Sequence, residues 1–372
     1  MVHRVIWWGS GYVGKLGLAA VLDHPDFELV GMIAHTPEKI GKDAGEIVGR
    51  AGDTGVIATD DIDAVLALDA DVVAYFANSA FREADAVADC ARALRAGKHV
   101  ISNCLPPLVY PPTAPKAFTE PLAAACAEGG RSMFVTGVEP GFFSDLLPLT
   151  LAGGCARVDS IKVTEVLDYS TFFNANFMDA QGWGGPMDVV PPAARPGALR
   201  TTWRGPIDAM AAGLGIELDD IEEYVERLPT DRAISMPGGL PDIEAGTMGA
   251  LRWRLSGMVG GEPKIVIEHF NFMAADVVPD GWPTEEGYRV EIKGNPNINS
   301  WTGLTGPDGD GNTGGCVLSA WRGLAVVPYL DNLPPGLKSV LDFGLVPGRG
   351  NVFGDPGQPY SPIWLAEQGT AR

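Results

Sequence analysis

Residues 9–14 have the types and spacing to hold a dinucleotide. An apolar run, Val5-Ile6-Trp7-Trp8, leads straight into Gly9-Ser10-Gly11-Tyr12-Val13-Gly14. In such a Gly-x-Gly-x-x-Gly turn, the first glycine permits the tight turn. The second lets the backbone approach a pyrophosphate, and the third lets the following helix pack against the strand. The helix then presents its N-terminus to the phosphates. Glycine is 48 of 372 residues, so the spacing alone is weak evidence. The context carries it: an apolar strand before the turn, a helical pattern over 15–22 after it, and a second strand over 27–34 at crossover distance.

The tip of that second strand reads the adenosine ribose in this layout. A carboxylate there hydrogen-bonds the 2′-hydroxyl, whereas basic or small polar residues leave room for a 2′-phosphate. The tip reads Ala34-His35-Thr36-Pro37-Glu38-Lys39. His35, Thr36 and Lys39 are potential phosphate donors and Glu38 argues the other way, so the expected cofactor is NADP(H), with NAD use left open. A solvated polar turn is the plain alternative.

In doubly wound sheets, ligands sit at the carboxyl ends of the strands. Asn78-Ser79, Asn103-Cys104-Leu105 and Gly137-Val138-Glu139-Pro140-Gly141 follow such ends. That makes Asn78, Asn103 and Cys104 candidate cofactor contacts and Leu105 a candidate pocket wall. Hydride transfer to a C=O or C=N bond needs a proton donor or cation stabiliser beside the reacting carbon. Glu139 is the candidate for that role; its alternative is a loop carboxylate favoured by a helix beginning near Pro140. Asp145 is expected in the first turn of that helix, as a dipole or capping residue. Cys104 has no paired histidine and reads as a neutral pocket or core thiol.

Two further stretches are candidates. Tyr169, Thr171, Phe172, Phe173, Phe177 and Trp183 fall in a segment dense in aromatics, which suits the wall of an apolar substrate pocket and suits core packing or a subunit interface equally. Asn312 and Thr313 open a helical pattern. Either would cap it, and small residues there also let backbone N–H groups meet a ligand, so both count as candidate cofactor contacts.

The elements that position these residues divide in two. Residues 1–150 alternate strand and helix: strands over 56–59, 72–76, 99–102 and 133–136, with helices over 42–48, 60–68, 82–96 and 119–128 between and around them. This is a parallel, doubly wound α/β sheet of the Rossmann kind. Residues 151–345 read as an α+β substrate domain with a mixed or antiparallel sheet, from alternating strands over 160–166, 252–256, 264–269 and 288–292. The stretch 182–205 reads as Pro/Gly-rich loop and 216–228 as an acidic helix. A helix over 313–330 is expected to return to the first domain, and 346–372 to form a C-terminal arm.

Bulk properties agree. A chain of 372 residues exceeds the ~250–300 at which single cores stop growing, so two domains are expected. The net charge of −20 and pI near 4.6 disfavour nucleic acid and anionic membranes as partners. No apolar run is long enough to span a membrane. Five scattered cysteines form no Cys-x-x-Cys motif, and no Cys/His spacing calls for a metal. With no signal peptide before the first strand, a cytoplasmic location is expected.

The 9–15 turn, Lys39-Ile40-Gly41-Lys42-Asp43-Ala44-Gly45, Thr136-Gly137-Val138-Glu139-Pro140-Gly141-Phe142, Ala245-Gly246-Thr247 and Asn312-Thr313-Gly314-Gly315 resemble one group of reductases. These are the dihydrodipicolinate-reductase-like proteins, similar to 2,4-diaminopentanoate dehydrogenase and the native amine dehydrogenases. The resemblance spans roughly residues 1–350. It implies a Rossmann domain with a substrate and dimerisation domain, assembled as a homodimer. It also implies NAD(P)H-dependent interconversion of an amine with a small to medium ketone plus ammonia, through an imine. The His-His pair and the Asp-Ala-Pro-Ser-Gly-Thr stretch of true dihydrodipicolinate reductase are absent, so lysine biosynthesis is not expected. Amine dehydrogenases of the group carry a glutamate after the strand that ends here at Ser102; this chain has Cys104-Leu105-Pro106-Pro107. The expectation is that the carboxylate has moved to Glu139. The alternatives are carbonyl or C=C reduction on the same scaffold, and a cofactor-binding sensor without chemistry.

Overall fold

A computed structural model describes residues 2–50, 53–172, 174–236 and 240–352. The chain divides into two units: one runs to Glu139 and resumes at Cys316, the other is Pro140–Gly315.

The first unit begins β1 (His3–Trp8), α1 (Tyr12–Asp23), β2 (Phe27–Ile33), α2 (Ala44–Ile47), β3 (Ala58–Thr59), α3 (Ile62–Leu66), β4 (Val72–Tyr75), α4 (Glu83–Arg95), β5 (His99–Ser102), α5 (Lys116–Gly129) and β6 (Ser132–Val135). In the second unit come α6 (Leu147–Ala152), β7 (Arg157–Asp168), α7 (Ala175–Gln181), α8 (Ala198–Leu214), β8 (Asp220–Pro229), β9 (Met248–Val259), β10 (Glu262–Phe272), β11 (Gly287–Asn295) and β12 (Ile298–Thr302). Helix α9 (Gly311–Ala325) leads back into the first unit, followed by α10 (Val327–Leu330) and β13 (Gly336–Lys338).

The first sheet has seven parallel strands in the order β13-β6-β5-β4-β1-β2-β3. This is the doubly wound arrangement expected. Its central strands are buried on both faces, which is why Val5-Ile6-Trp7-Trp8 and Val72-Val73-Ala74-Tyr75 are apolar throughout. Ala320, Leu324, Val327 and Leu330 pack into the core on the side of Trp7, Met32 and Phe134. The left-handed Gly97 (φ +75°) follows the end of α4.

The second sheet is mixed, β12-β11-β7-β10-β9-β8, with β7 and β10 parallel and the other pairs antiparallel. One face buries Ile161, Val163, Ile265, Ile267, Val290 and Ile292 with Ile207 and Met210 of α8.

Three expectations are corrected. Residues 216–228 are not helical; most of them form the edge strand β8, paired with β9. Its glutamates suit a helix by propensity, but Ile221 and Val225 reach the core only if the backbone pairs, and charges along the outermost strand block further pairing. The 182–205 stretch is not all loop, because α8 starts at Ala198 and runs through Gly205-Pro206. Burial of Leu199, Ile207 and Met210 holds that helix together across its proline. The helix expected from Pro140 starts earlier, as a wide-turned π-helix over Val138–Leu146 that leads into α6. Asp145 therefore lies near its end, buried, rather than in its first turn. The arm expected over 346–372 falls mostly outside the described residues.

Candidate functional site

In the first unit the residues of the glycine turn converge at the carboxyl end of β1. Gly9 has φ +105°, and a Cβ there would lie 2.4 Å from the Ala77 nitrogen and 2.5 Å from the Phe76 carbonyl carbon. Glycine is thus obligatory on two counts, handedness and close approach to the chain after β4. A Cβ on Gly14 would lie 2.5 Å from the Gly9 oxygen, so the third glycine brings α1 against the turn itself. Gly11 differs: a Cβ there meets nothing within 4 Å. Its backbone borders open space at the N-terminus of α1, where the first-turn N–H groups have no partners in the helix. A space that only a side chain would fill is what a phosphate-binding turn requires. Tyr12 and Val13 are half-buried in the first turn, and Ser10 is buried.

Around this turn the acidic chain gathers cations. The Lys39 ammonium donates to the Ser10 carbonyl at 2.7 Å. Burial, then the charge of Lys15, holds the Lys39 pKa below its ordinary value, with Glu38 opposing. Burial, then the charge of Lys42, likewise lowers Lys15. His35 is exposed at the strand tip and accepts from the Trp8 indole at 3.3 Å; Thr36 beside it is exposed.

The other strand ends of this unit follow. Asn78 is exposed, its carboxamide oxygen accepting from Ala80 N–H at 2.9 Å. Asn103 is half-buried. The Cys104 thiol donates to the Ala77 carbonyl at 2.7 Å, and burial pushes it up to about 11, which keeps it neutral. Leu105 is buried with the left-handed φ of +60°, ahead of Pro106. Glu139 is half-buried in the first turn of the π-helix, just after Val138, whose N–H is bound by the Ser319 hydroxyl at 3.0 Å. A cavity of about 460 Å³ lined by His24, Phe27 and Trp321 lies at the opposite, amino ends of β1 and β2, away from the edge where such sheets bind ligands.

In the second unit the aromatic run folds into one cluster. Tyr169 stacks on Phe177 at 5.2 Å, and meets Phe172 at 5.6 Å and Trp183 at 6.3 Å. Phe173 lies outside the described residues. Thr171 donates to Asp310 at 2.5 Å and accepts from the Asn312 amide at 2.7 Å. Asn312 also donates to the Asp168 carbonyl at 2.7 Å, while its own oxygen is buried without a partner among the described residues. The capping role expected of Asn312 or Thr313 belongs instead to Asp310, whose carboxylate accepts from Thr313 N–H at 2.8 Å. The helix starts at Gly311, two residues before the expected start at 313, which places both residues inside its first turn. Asp168, Glu286, Asp308 and Asp310 line a cavity of about 610 Å³ with Thr171 and Met273. Burial, then the charges of Asp168 and Asp310, raises the Glu286 carboxyl, although the Asp168 N–H that it accepts pulls the other way.

Sequence reasoning missed one constellation. Glu165 on β7 and His269 on β10 are both buried, with His269 Nδ1 3.0 Å from Glu165 Oε1. The Asn271 amide donates to the same carboxylate at 2.8 Å, and the Tyr169 hydroxyl at 3.3 Å. Burial alone would raise the Glu165 carboxyl. The charge of His269 and hydrogen bonds from His269, Asn271 and Tyr288 outweigh it and hold the group below the usual carboxylate range. The His269 ring stacks on Trp253 at 3.9 Å and meets Trp203 edge-on at 4.7 Å. A signal was present: in Ile161, Val163, Glu165 and in Ile265, Ile267, His269, the alternation puts a titratable residue on the apolar face.

Comparison with known proteins adds the family. Residues 3–101 match the model described as dihydrodipicolinate reductase, N-terminus, and residues 142–350 the model described as 2,4-diaminopentanoate dehydrogenase C-terminal domain. An amine dehydrogenase from Streptomyces virginiae is 38% identical over 358 residues, covering 95% of this chain and 99% of that protein. The 2,4-diaminopentanoate dehydrogenase of Acetoanaerobium sticklandii is 28% identical over 63% of this chain and 64% of its own length. The structure of the amine dehydrogenase from Mycobacterium smegmatis superposes with a TM-score of 0.78 at 20% identity, covering 94% and 98% of the two chains.

Proposed function

This chain belongs to the 2,4-diaminopentanoate dehydrogenase family of NAD(P)-dependent oxidoreductases acting on C–N bonds, and on that premise we propose that it interconverts a small to medium apolar ketone plus ammonia with the corresponding amine. The observation that carries this reading is relatedness to an amine dehydrogenase across nearly the whole of both chains. The residues present fit a dinucleotide, because Gly9 and Gly14 close the turn and Gly11 leaves its backbone open at the start of α1. When bound, the reduced nicotinamide supplies the hydride. The chain's own residues hold the phosphates through residues 9–14 and wall the substrate with the aromatic cluster of Tyr169, Phe172, Phe177 and Trp183.

NADP(H) is the favoured form. Lys39 lies beside the glycine turn with Lys15 close enough to lower its pKa, while Lys42 pairs with Glu46 at 2.7 Å, and no carboxylate ends β2 itself. A cation at that position favours an added phosphate over a bare ribose hydroxyl. Asn78, Asn103, Cys104, Asn312 and Thr313 are the further proposed cofactor contacts, and a homodimer is the proposed assembly. Among the described residues no helix is long and apolar enough to cross a membrane.

Glu139 is the proposed acid–base residue, standing in for the glutamate that this chain replaces with Cys104-Leu105. Glu139→Gln is expected to lower ammonia-dependent turnover by ~10²-fold or more, the scale of general acid–base catalysis, while cofactor affinity measured by fluorescence titration is unchanged. Unchanged turnover would sink that role. The replacement of the family glutamate also favours a second reading, direct carbonyl or C=C reduction. NADPH oxidation across a ketone panel with and without ammonium separates the two.

A further inference from the structure

The cavity at the amino ends of β1 and β2 plays no part in the reading above. Its volume of about 460 Å³ falls within the ~300–1,000 Å³ of small-molecule sites. One wall is aromatic. Phe27, at the start of β2, and Trp321, on α9, meet edge to face with ring centres 5.9 Å apart. Both are half-buried, so part of each ring is left uncovered by protein. The other wall is the turn over 347–351, which the chain fixes at several points. Gly350 has φ +81°, and a Cβ there would lie 2.5 Å from Asp26 Oδ2 and 3.1 Å from His24 Cε1. The turn therefore closes onto Asp26 and His24 only with glycine at that position. His24 Nδ1 accepts from the Asp26 N–H at 3.1 Å, which leaves the ring proton on Nε2, and that nitrogen donates to Asn351 Oδ1 at 3.2 Å. The Arg349 N–H donates to the Pro347 carbonyl at 2.8 Å. These contacts set Arg349 on the cavity.

Two opposite charges then border one cavity without meeting. Among the described residues, neither the Asp26 carboxylate nor the Arg349 guanidinium forms an ion pair or a side-chain hydrogen bond, and the Tyr329 hydroxyl beside them has no hydrogen bond either. Opposite charges attract, and a turn free to shift would bring them together. Here Gly350 and Asn351 hold the turn against Asp26 and His24, and the charges stay apart. A ligand that carries both charges satisfies both groups at once, whereas a single charge leaves one of them unpaired. A planar apolar body suits the exposed faces and edges of Phe27 and Trp321. We propose that this cavity binds a free α-amino acid with an aromatic side chain, its ammonium on Asp26, its carboxylate on Arg349 and its ring against Phe27 and Trp321. The interior of a peptide has neither charge on its backbone, so the free amino acid is the class that fits. The site lies at the opposite ends of β1 and β2 from the glycine turn, and it stands independently of the C–N reading.

Calorimetric titration of the full chain with L-phenylalanine, without cofactor so that no turnover occurs, is expected to show one site per chain. Altered ligands test the charges in the unaltered protein. N-acetyl-L-phenylalanine lacks the ammonium and L-phenylalaninamide lacks the carboxylate, and each is expected to bind ~10-fold or more weakly, the scale of one charged hydrogen bond. Arg349→Gln is expected to weaken L-phenylalanine by a similar factor and to abolish the difference between it and its amide. Asp26→Asn is expected to abolish the difference between it and its N-acetyl form. Both substitutions should leave NADPH affinity unchanged. No binding of L-phenylalanine or L-tryptophan at millimolar concentration overturns the proposal, and so does equal binding of the three phenylalanine forms. Binding that both substitutions leave intact puts the amino acid elsewhere and overturns it too. Arg349 is exposed, so its replacement spares the fold. If Asp26→Asn does not fold, the Arg349 chain and the ligand series decide.

Discussion

The glycine turn of the first unit and the Glu165–His269 cluster of the second both stand at the carboxyl ends of strands, yet they are assembled in opposite ways. Around Gly9 and Gly14 the requirement is steric and nearly local, since what matters is the absence of a Cβ within six consecutive residues. The cluster draws its groups from β7, β10 and β11, and Glu165 and Asn271 are 106 positions apart in the chain. Its requirement is electrostatic, because burial raises the carboxyl and the charge of His269, with hydrogen bonds from His269, Asn271 and Tyr288, outweighs it. The turn therefore depends on residue identity, and the cluster on sheet register.

The largest expected effect tests the cluster. Glu165→Ala removes the buried carboxylate that His269 Nδ1 contacts at 3.0 Å and should destabilise the chain by about 3–5 kcal/mol, read from denaturant unfolding. Replacing Glu165 and His269 together with leucine should cost much less than the sum of the single changes. Additive losses would mean that the two residues act as independent packing groups.

Next comes the turn. Gly9→Ala forces a Cβ to within 2.4 Å of the Ala77 nitrogen and should cost about 1–3 kcal/mol along with cofactor binding. Gly11→Ala, with open space around it, should leave the thermal midpoint nearly unchanged and weaken cofactor binding alone. Equal destabilisation by the two would show that the turn serves packing rather than a ligand.

Acid separates the two regions further. Glu165 is held below its ordinary value of 4.5, and Asp43, which caps α2, below 3.8. For Asp43, burial raises the group, but hydrogen bonds from Thr54, Gly45 and Gly55 outweigh it. A carboxyl whose folded pKa is depressed stabilises the fold above its unfolded pKa and loses that contribution as pH falls through the folded pKa. The second unit should therefore weaken as pH drops below about 4.5 and the first below about 3.8, as followed by acid titration of stability. Glu165→Gln should flatten that decline in the second unit and Asp43→Asn in the first.

The smallest expected effect concerns the cations at the β2 tip. Lys39→Ala should weaken NADP(H) by about tenfold, the value of one charged hydrogen bond of ~1.5 kcal/mol, and leave NAD(H) affinity unchanged. Equal weakening of both cofactors would place Lys39 at the pyrophosphate instead.

How much of this was legible in the chain depends on the range of the forces involved. The apolar strands of the first sheet, the glycine turn and the helix stop at Gly97 are local patterns, and each appears in the structure near its expected position. The acidic strand β8 was misread as a helix because its preference is decided by pairing with β9, which no window of the sequence contains. Helix α8 was hidden by Gly205-Pro206, whose helical backbone is held by burial against the sheet. Asp310 took the cap expected of its neighbours because the helix begins at Gly311.

By itself, the sequence determined the doubly wound domain, the glycine turn and the family, because strand burial, glycine stereochemistry and motif spacing are written in consecutive residues. Only the tertiary structure decided that His269, Asn271 and Tyr169 share the Glu165 carboxylate, and that Gly11, not Gly9 or Gly14, is the glycine left open. The reason is physical. Whether a buried charge is tolerated, and whether a missing side chain leaves space or merely avoids a clash, depends on what other strands bring to that point.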